Sequence, residues 1–148
     1  MKKGEYTPAD KEMMYLTAKS RNSSRIRELL NFIELNSYKK IGIASCLSVN
    51  KYAESLKNQL IAAGLEVKMI NCKESKMDSS EISTELHGAS CDPKSQADYL
   101  NSEQTELNIE FGLCLGHGLI FQKYSHAPVT TIFVKDPQHQ HNMVENFI

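Results

Sequence analysis

The sequence predicts a three-layer α/β domain built on a mostly parallel sheet of about four strands. Short, nearly continuous apolar runs alternate along the chain with stretches whose apolar residues recur at helical spacing. This alternation is typical of strand–helix–strand units, in which right-handed crossovers cover both faces of a parallel sheet. The 148 residues are enough for one such domain with its own core.

Residues 1–38 are predicted to form a helical arm packed on this domain. Thr7-Pro8 marks the start of a first helix, because threonine caps a helix and proline suits its first position. A second helix is predicted behind Ser24, where apolar residues recur with the period of one helix face: Ile26, Leu29, Leu30 and Ile33. The first forty residues carry nine basic and five acidic side chains, so the arm is basic.

Residues 39–148 are predicted to form the α/β domain itself. Its four strands are predicted at 41–46, 65–72, 107–114 and 129–134. Helices are predicted between them, at 52–63, at 92–100 after an Asp-Pro start, and around 119–124. The second strand alternates apolar and polar residues and is therefore placed at an edge. We predict the strand order 2-1-3-4, as in Rossmann or flavodoxin-like folds.

The composition excludes several classes of protein. Seventeen basic residues balance eighteen acidic ones, and a net charge of −1 gives no electrostatic footprint for nucleic acid. No apolar run approaches the roughly 20 residues that span a bilayer, and no signal peptide is visible. The motifs of dinucleotide-binding, nucleoside-triphosphate-binding and hydrolase families are absent. We therefore expect a cytoplasmic protein with reduced cysteines that binds neither nucleic acid nor membrane.

Three of the four cysteines close predicted strands, namely Cys46, Cys72 and Cys114. The carboxyl ends of parallel strands share one edge of the sheet, and ligands bind in the crevice at that edge. Cys91 immediately precedes a predicted helix start, so the topology places it there less firmly. His117 lies in the loop predicted after the third strand, between two glycines that permit a tight turn. The sequence therefore predicts a pocket rim that gathers these side chains.

Two chemistries fit this set of residues. Thiolates and an imidazole bind zinc, and three or four thiolates bind an iron–sulfur cluster, so the expected metal ligands are Cys46, Cys91, Cys114 and His117. Alternatively, Cys46 or Cys114 is a nucleophile or redox centre whose thiol loses its proton beside His117. The cysteines are spaced by 26, 19 and 23 residues and match no C-x-x-C pattern. A third interpretation is therefore that they are small apolar side chains filling strand ends.

Three further residues are weaker metal-ligand candidates: Cys72, Asp136 and His141. His139 and His141 form an H-x-H pattern, and on a strand both rings would point to the same side. Asp136 follows Lys135 at the end of the fourth predicted strand, and an ion pair between the two is favoured over catalysis. The alternative is that Asp136 orients His117 or His141.

Several segments together resemble a known family. They are KKIGIASC at 39–46, CDP at 91–93, GLCLGH at 112–117, APVTT at 127–131 and VKD at 134–136. The chain is similar over nearly its whole length to the prokaryotic family called domain of unknown function 1847, which is often labelled metal-binding. The resemblance implies a small α/β domain, no established reaction, and six site residues: Cys46, Cys91, Cys114, His117, Asp136 and His141. Many members begin with a cysteine-rich segment, and we expect this chain to be a member without it; an acid commonly stands where this chain has Gly118.

Three functions are therefore open. The first is binding of a metal ion or metal cluster at the carboxyl ends of the strands. The second is a thiol-dependent enzyme, or a protein that binds a small molecule in the same crevice. The third is a non-catalytic interaction domain, which a large apolar contact between copies of a homo-oligomer on the helical arm would support.

Overall fold

The computed structural model describes residues 1–148, and its contacts separate residues 1–39 from residues 40–148 as two units. None of the helices in either unit is both long and apolar enough to cross a membrane.

The first unit contains two helices, α1 (Pro8–Ser20) and α2 (Arg25–Leu35). Thr7 caps α1 reciprocally: its hydroxyl accepts a hydrogen bond from the Asp10 N–H, and the Asp10 carboxylate accepts one from the Thr7 N–H. The Ser24 hydroxyl caps α2 in one direction only, by accepting a hydrogen bond from the Arg27 N–H. Both helices begin where the sequence predicts, because the local capping chemistry determines these starts.

The second unit is a four-stranded sheet, all parallel, in the order β2-β1-β3-β4. Its strands are β1 (Lys40–Ser45), β2 (Glu66–Asn71), β3 (Leu107–Phe111) and β4 (Val129–Phe133). Its helices are α3 (Asn50–Ala62), α4 (Pro93–Ser102) and α5 (Leu115–Tyr124). The predicted fold class, the 2-1-3-4 order and the edge position of β2 are confirmed.

The two central strands are buried on both sides, and β3 buries two polar residues with them. The Asn108 side chain contacts the hydroxyls of Thr105 and Ser125, at 2.6 Å and 2.8 Å. A Cβ atom on Gly42 of β1 would overlap the Asn108 amide, so this position in the strand requires glycine. Buried polar groups are tolerated when they are hydrogen-bonded in this way.

The pairing of β4 with β3 contains an irregularity. Glu110 pairs with Thr131, but the next residue, Phe111, pairs with Phe133, so one residue of β4 is extra. As a result, the Thr131 hydroxyl contacts the Glu110 carboxylate while Phe133 stacks on Phe111, with ring centroids 4.7 Å apart. Thr131 and Phe133 are two residues apart and would share a face in a regular strand. Here their side chains lie on opposite faces of the sheet, as expected at a β-bulge.

The chain after β3 differs from the prediction. The strand ends at Phe111 instead of residue 114, because Gly112 adopts a left-handed conformation with φ +69°. The helix begins at Leu115 instead of around residue 119. His117, predicted in a loop, therefore lies in the first turn of α5, and Cys114 is the residue that precedes the helix.

Candidate functional site

The carboxyl edge of the sheet brings together two thiols and one ammonium group. Cys46 directly follows β1, Cys114 is the N-cap residue of α5, and Lys135 lies two residues beyond β4. The Lys135 Nζ donates a hydrogen bond to each sulfur at 3.2 Å. The two sulfurs are therefore at most 6.4 Å apart, which is twice that distance. The predicted convergence of these two strand-end cysteines is present.

The two thiols of this group have different surroundings. Cys46 is only 6% exposed, and its sulfur lies 3.1 Å from the Ser48 hydroxyl, whereas Cys114 is exposed. Burial acts to raise the pKa of Cys46, but the hydrogen bonds with Ser48 and Lys135 outweigh it, so this pKa is lowered. Desolvation likewise opposes the charge of Lys135, yet its bonds to Cys114 and Cys46 raise the lysine pKa. The geometry thus favours a thiolate–ammonium pair.

The other two cysteines, Cys72 and Cys91, lie beside this group, and their thiols contact no ammonium group. Cys72 is 2% exposed, and the Leu47 N–H lies 3.4 Å from its sulfur. The Asp92 N–H donates to the Cys72 carbonyl at 2.8 Å, which holds the backbone next to Cys91 against the end of β2. Burial, together with the neighbouring thiols of Cys91 and Cys46, raises the pKa of Cys72 to about 12. Cys72 is therefore a neutral thiol at pH 7.

His117 is not joined to the thiols. Its ring is half-buried in the first turn of α5, and no hydrogen bond or ring contact links it to a cysteine. More generally, no group of three or more His, Cys, Asp or Glu side chains is arranged to hold a metal ion. The donors have the right chemistry for zinc, but Lys135 is placed between Cys46 and Cys114. A metal ion could bind the two sulfurs only if Lys135 left them.

The predicted ion pair between Lys135 and Asp136 is wrong, because the lysine contacts the thiols instead. The Asp136 carboxylate contacts His139 at 3.0 Å and accepts a bond from Asn146 at 2.6 Å. The hydrogen bond from Asn146 has the largest effect on the pKa of Asp136, and together with the His139 contact it lowers that pKa. The Asp136 N–H donates to the His141 ring, so Asp136 contacts this ring through its backbone and not through its carboxylate. The H-x-H pattern lies in a turn and not on a strand, with His141 at φ +68°.

A pocket of about 730 Å³ lies beside the thiol–lysine group, between α5, the end of β4 and the carboxyl-terminal residues. Cys114 and Lys135 both line it, together with the carboxylates of Glu110 and Asp136. The remaining wall is largely apolar and includes Leu113, Leu119, Phe133, Met143 and Phe147. A crevice at the carboxyl ends of parallel strands is the usual ligand position in such sheets.

Glu110 is a pocket residue that the sequence reasoning overlooked. Its side chain is 8% exposed, and its Oε2 accepts hydrogen bonds from Gln122 at 2.9 Å and Thr131 at 3.3 Å. The other oxygen, Oε1, lies against Gly118, where a Cβ atom would overlap it. Two signals were available: an acid in the middle of a buried strand, and a glycine inside the following helix.

Fold and site together define a parallel α/β protein with a thiol–ammonium pair and a pocket at the carboxyl edge of its sheet. The chain belongs to the family described as a protein of unknown function, domain of unknown function 1847, whose sequence model matches residues 3–132. An uncharacterized protein of Methanocaldococcus jannaschii is 40% identical over 124 residues, which cover 80% of this chain and 64% of that relative. The match thus spans less than two thirds of the archaeal protein. No solved structure matches the chain.

Proposed function

We propose that this protein binds a small organic molecule in the pocket and reacts with it through the thiolate of Cys114. The observation that carries this proposal is the hydrogen bond from the Lys135 ammonium to two sulfurs, one of which lines the pocket. The thiolate is the nucleophilic form of cysteine, and a neighbouring cation favours it. The pocket supplies the space in which a molecule is held next to that sulfur.

Exposure distinguishes the roles of the two thiols. Cys114 is exposed and lines the pocket, so an electrophile reaches its sulfur directly. Cys46 is buried and does not line the pocket; it holds the second N–H of Lys135 and so positions the ammonium. Cys114 also stands at the amino terminus of α5, where the helix dipole favours a negative charge.

In the proposed step, the Cys114 sulfur supplies the electron pair of a new bond to an electrophilic carbon of the ligand. The thiol proton goes to solvent, and Lys135 keeps its own proton throughout. The bond from that carbon to the leaving group breaks, and the leaving group departs with its electron pair. No oxidant or reductant enters this step.

Alkylation with iodoacetamide at pH 7, mapped by mass spectrometry of peptides, tests the proposal. We expect Cys114 to react well before Cys72 and Cys91, since neither of those thiols contacts a cation. A Cys114→Ser variant should lose the fast reaction, while the matched Cys91→Ser variant should keep it. Slow labelling that is uniform across all the cysteines would contradict the proposal.

Metal binding is the second proposal, with zinc or an iron–sulfur cluster held by Cys46, Cys91, Cys114 and His117. It is supported by the position of all four thiols along one edge of the sheet, because thiolates are the preferred ligands of these metals. Lys135 would have to leave the two sulfurs. Metal analysis of protein purified without oxygen decides: about one equivalent supports the site, and less than about a tenth speaks against it.

A further inference from the structure

We infer that the pocket selects ligands that carry a protonated amine, and that Glu110 is the residue that binds this group. The inference deepens the proposed function, since it concerns the same pocket, and it names the class of molecule that would be held beside Cys114. It depends on the surroundings of the carboxylate, on the shape of the wall next to it, and on the charges of the other lining residues.

Glu110 is a buried carboxylate without a cationic partner. All of the ion pairs in the structure involve other residues. Its two donors, Gln122 and Thr131, are neutral, and both contact the same oxygen, Oε2. Burying a carboxylate is costly unless a cation or several donors compensate for the lost water. The other oxygen, Oε1, accepts no hydrogen bond from the protein and is not fully buried, so a charged donor on a ligand can reach it.

Gly118 gives the Glu110 carboxylate room beside α5. Gly118 lies in the first turn of α5, and the missing Cβ atom leaves the space that Oε1 occupies. Glycine is unfavourable inside a helix by about 1 kcal/mol relative to alanine. At position 118, however, a larger residue would displace the Glu110 carboxylate from this helix.

The other charges of the pocket favour the same class of ligand. Asp136 lines the pocket as a second carboxylate, and its contacts with Asn146 and His139 lower its pKa, which keeps it anionic. Lys135 is the one lining cation, and its ammonium is already bound to two sulfurs. An anionic ligand would thus meet two carboxylates, whereas an ammonium group on an apolar body matches both Glu110 and the apolar wall.

Binding of three six-carbon probes, followed by ¹H–¹⁵N NMR, tests the inference without using thiol chemistry. Hexylamine and hexanol share one hexyl chain and differ in the head group, and hexanoate has the same number of carbon atoms with a negative head group. We expect hexylamine to shift the Gly118 and Gln122 amide signals and to bind about tenfold more tightly than hexanol, because a hydrogen bond to a charged group is the stronger one. Hexanoate should bind more weakly than hexanol.

Two variants assign this preference to Glu110. In Glu110→Gln the preference for hexylamine over hexanol should fall to about threefold or less. The matched control is Glu85→Gln, since Glu85 is exposed and lies outside the pocket, and there the preference should persist. Gly118→Ala keeps the charge, but its Cβ takes the space that Oε1 occupies and displaces the carboxylate, so it should also remove the preference.

Equal binding of all three probes, no binding of any, or an unchanged preference in Glu110→Gln would each overturn the inference. Because fast alkylation of Cys114 is measured separately, any of these results would leave the proposed function standing. Conversely, slow alkylation with an intact amine preference would reject the thiol reaction and keep the ligand class.

Discussion

Replacing Lys135 by methionine keeps an unbranched side chain of similar length and removes the charge that contacts both sulfurs. We expect the Lys135→Met variant to fold, because the lysine is only half-buried and lies beyond the end of β4. It should lose the rapid alkylation of Cys114 at pH 7. The reason is that Cys46 and Cys114 would both lose the positively charged donor that stabilises a thiolate.

The magnitude follows from the geometry of these contacts. A hydrogen bond to a charged group contributes about 1.5–3 kcal/mol. Since Cys114 is exposed, solvent screens part of that interaction, and we take a value near the lower limit. This corresponds to a decrease of about tenfold in the alkylation rate at pH 7. The wild type and the variant should converge at strongly alkaline pH, where thiols are ionised in both.

The assay is the rate of alkylation as a function of pH, with the melting temperature as a check on folding. Because only the wild type has an ammonium bonded to the Cys114 sulfur, its alkylation should be faster than that of the variant at neutral pH, and this difference should shrink as the pH rises. Lys123→Met is the matched control, because Lys123 is exposed near the end of α5 and does not line the pocket. A folded Lys135→Met protein that reacts as fast as the wild type at pH 7 would refute the role given to Lys135.

Three predictions concern stability. The folded protein holds the Cys72 proton up to about pH 12, whereas an unfolded chain releases it near 9. The contribution of this thiol to the free energy of unfolding is therefore complete below pH 9. Between these two pH values it falls by up to about 1.4 kcal/mol per pH unit. In urea denaturation, Cys72→Ala should show a shallower loss above pH 9, and an unchanged slope would contradict this. Gly42→Ala should cost about 1–3 kcal/mol, because its Cβ overlaps Asn108. Phe121→Ala, at a fully buried position in α5, should cost about 3–5 kcal/mol in the same assay. A loss below about 0.5 kcal/mol in either variant would show that the packing described here is wrong.

Much of the fold could be predicted because its signals are local. The caps Thr7 and Ser24, the Asp-Pro start of α4, and the apolar run of β1 each specify a boundary within a few residues. The edge position of β2 also followed from its own alternating pattern. The start of α5 was predicted too late because its two glycines are poor helix formers, and the steric reason for Gly118 is a residue on β3.

The site was predicted less completely, because its partners come from different elements. The topology placed Cys46 and Cys114 at one edge correctly, since parallel strands end together. His117 was predicted with them from its nearness in sequence, but the helix carries it separately. The role of Lys135 depends on a contact across 89 residues to Cys46, which no spacing pattern contains. Glu110 was overlooked because its importance appears only once α5 is packed against β3.

The extra residue in β4 has a consequence for comparing this chain with its relatives. Up to Thr131 the strand is paired in simple register with β3, and from Phe133 onward it is displaced by one position. Because the bulge absorbs the extra residue, a homologue with one residue fewer here and a regularly paired strand would keep the equivalent of Lys135 on the same face. An equally long strand without the bulge would instead turn that lysine to the opposite face, so relatives share this chemistry only when strand length and bulge change together.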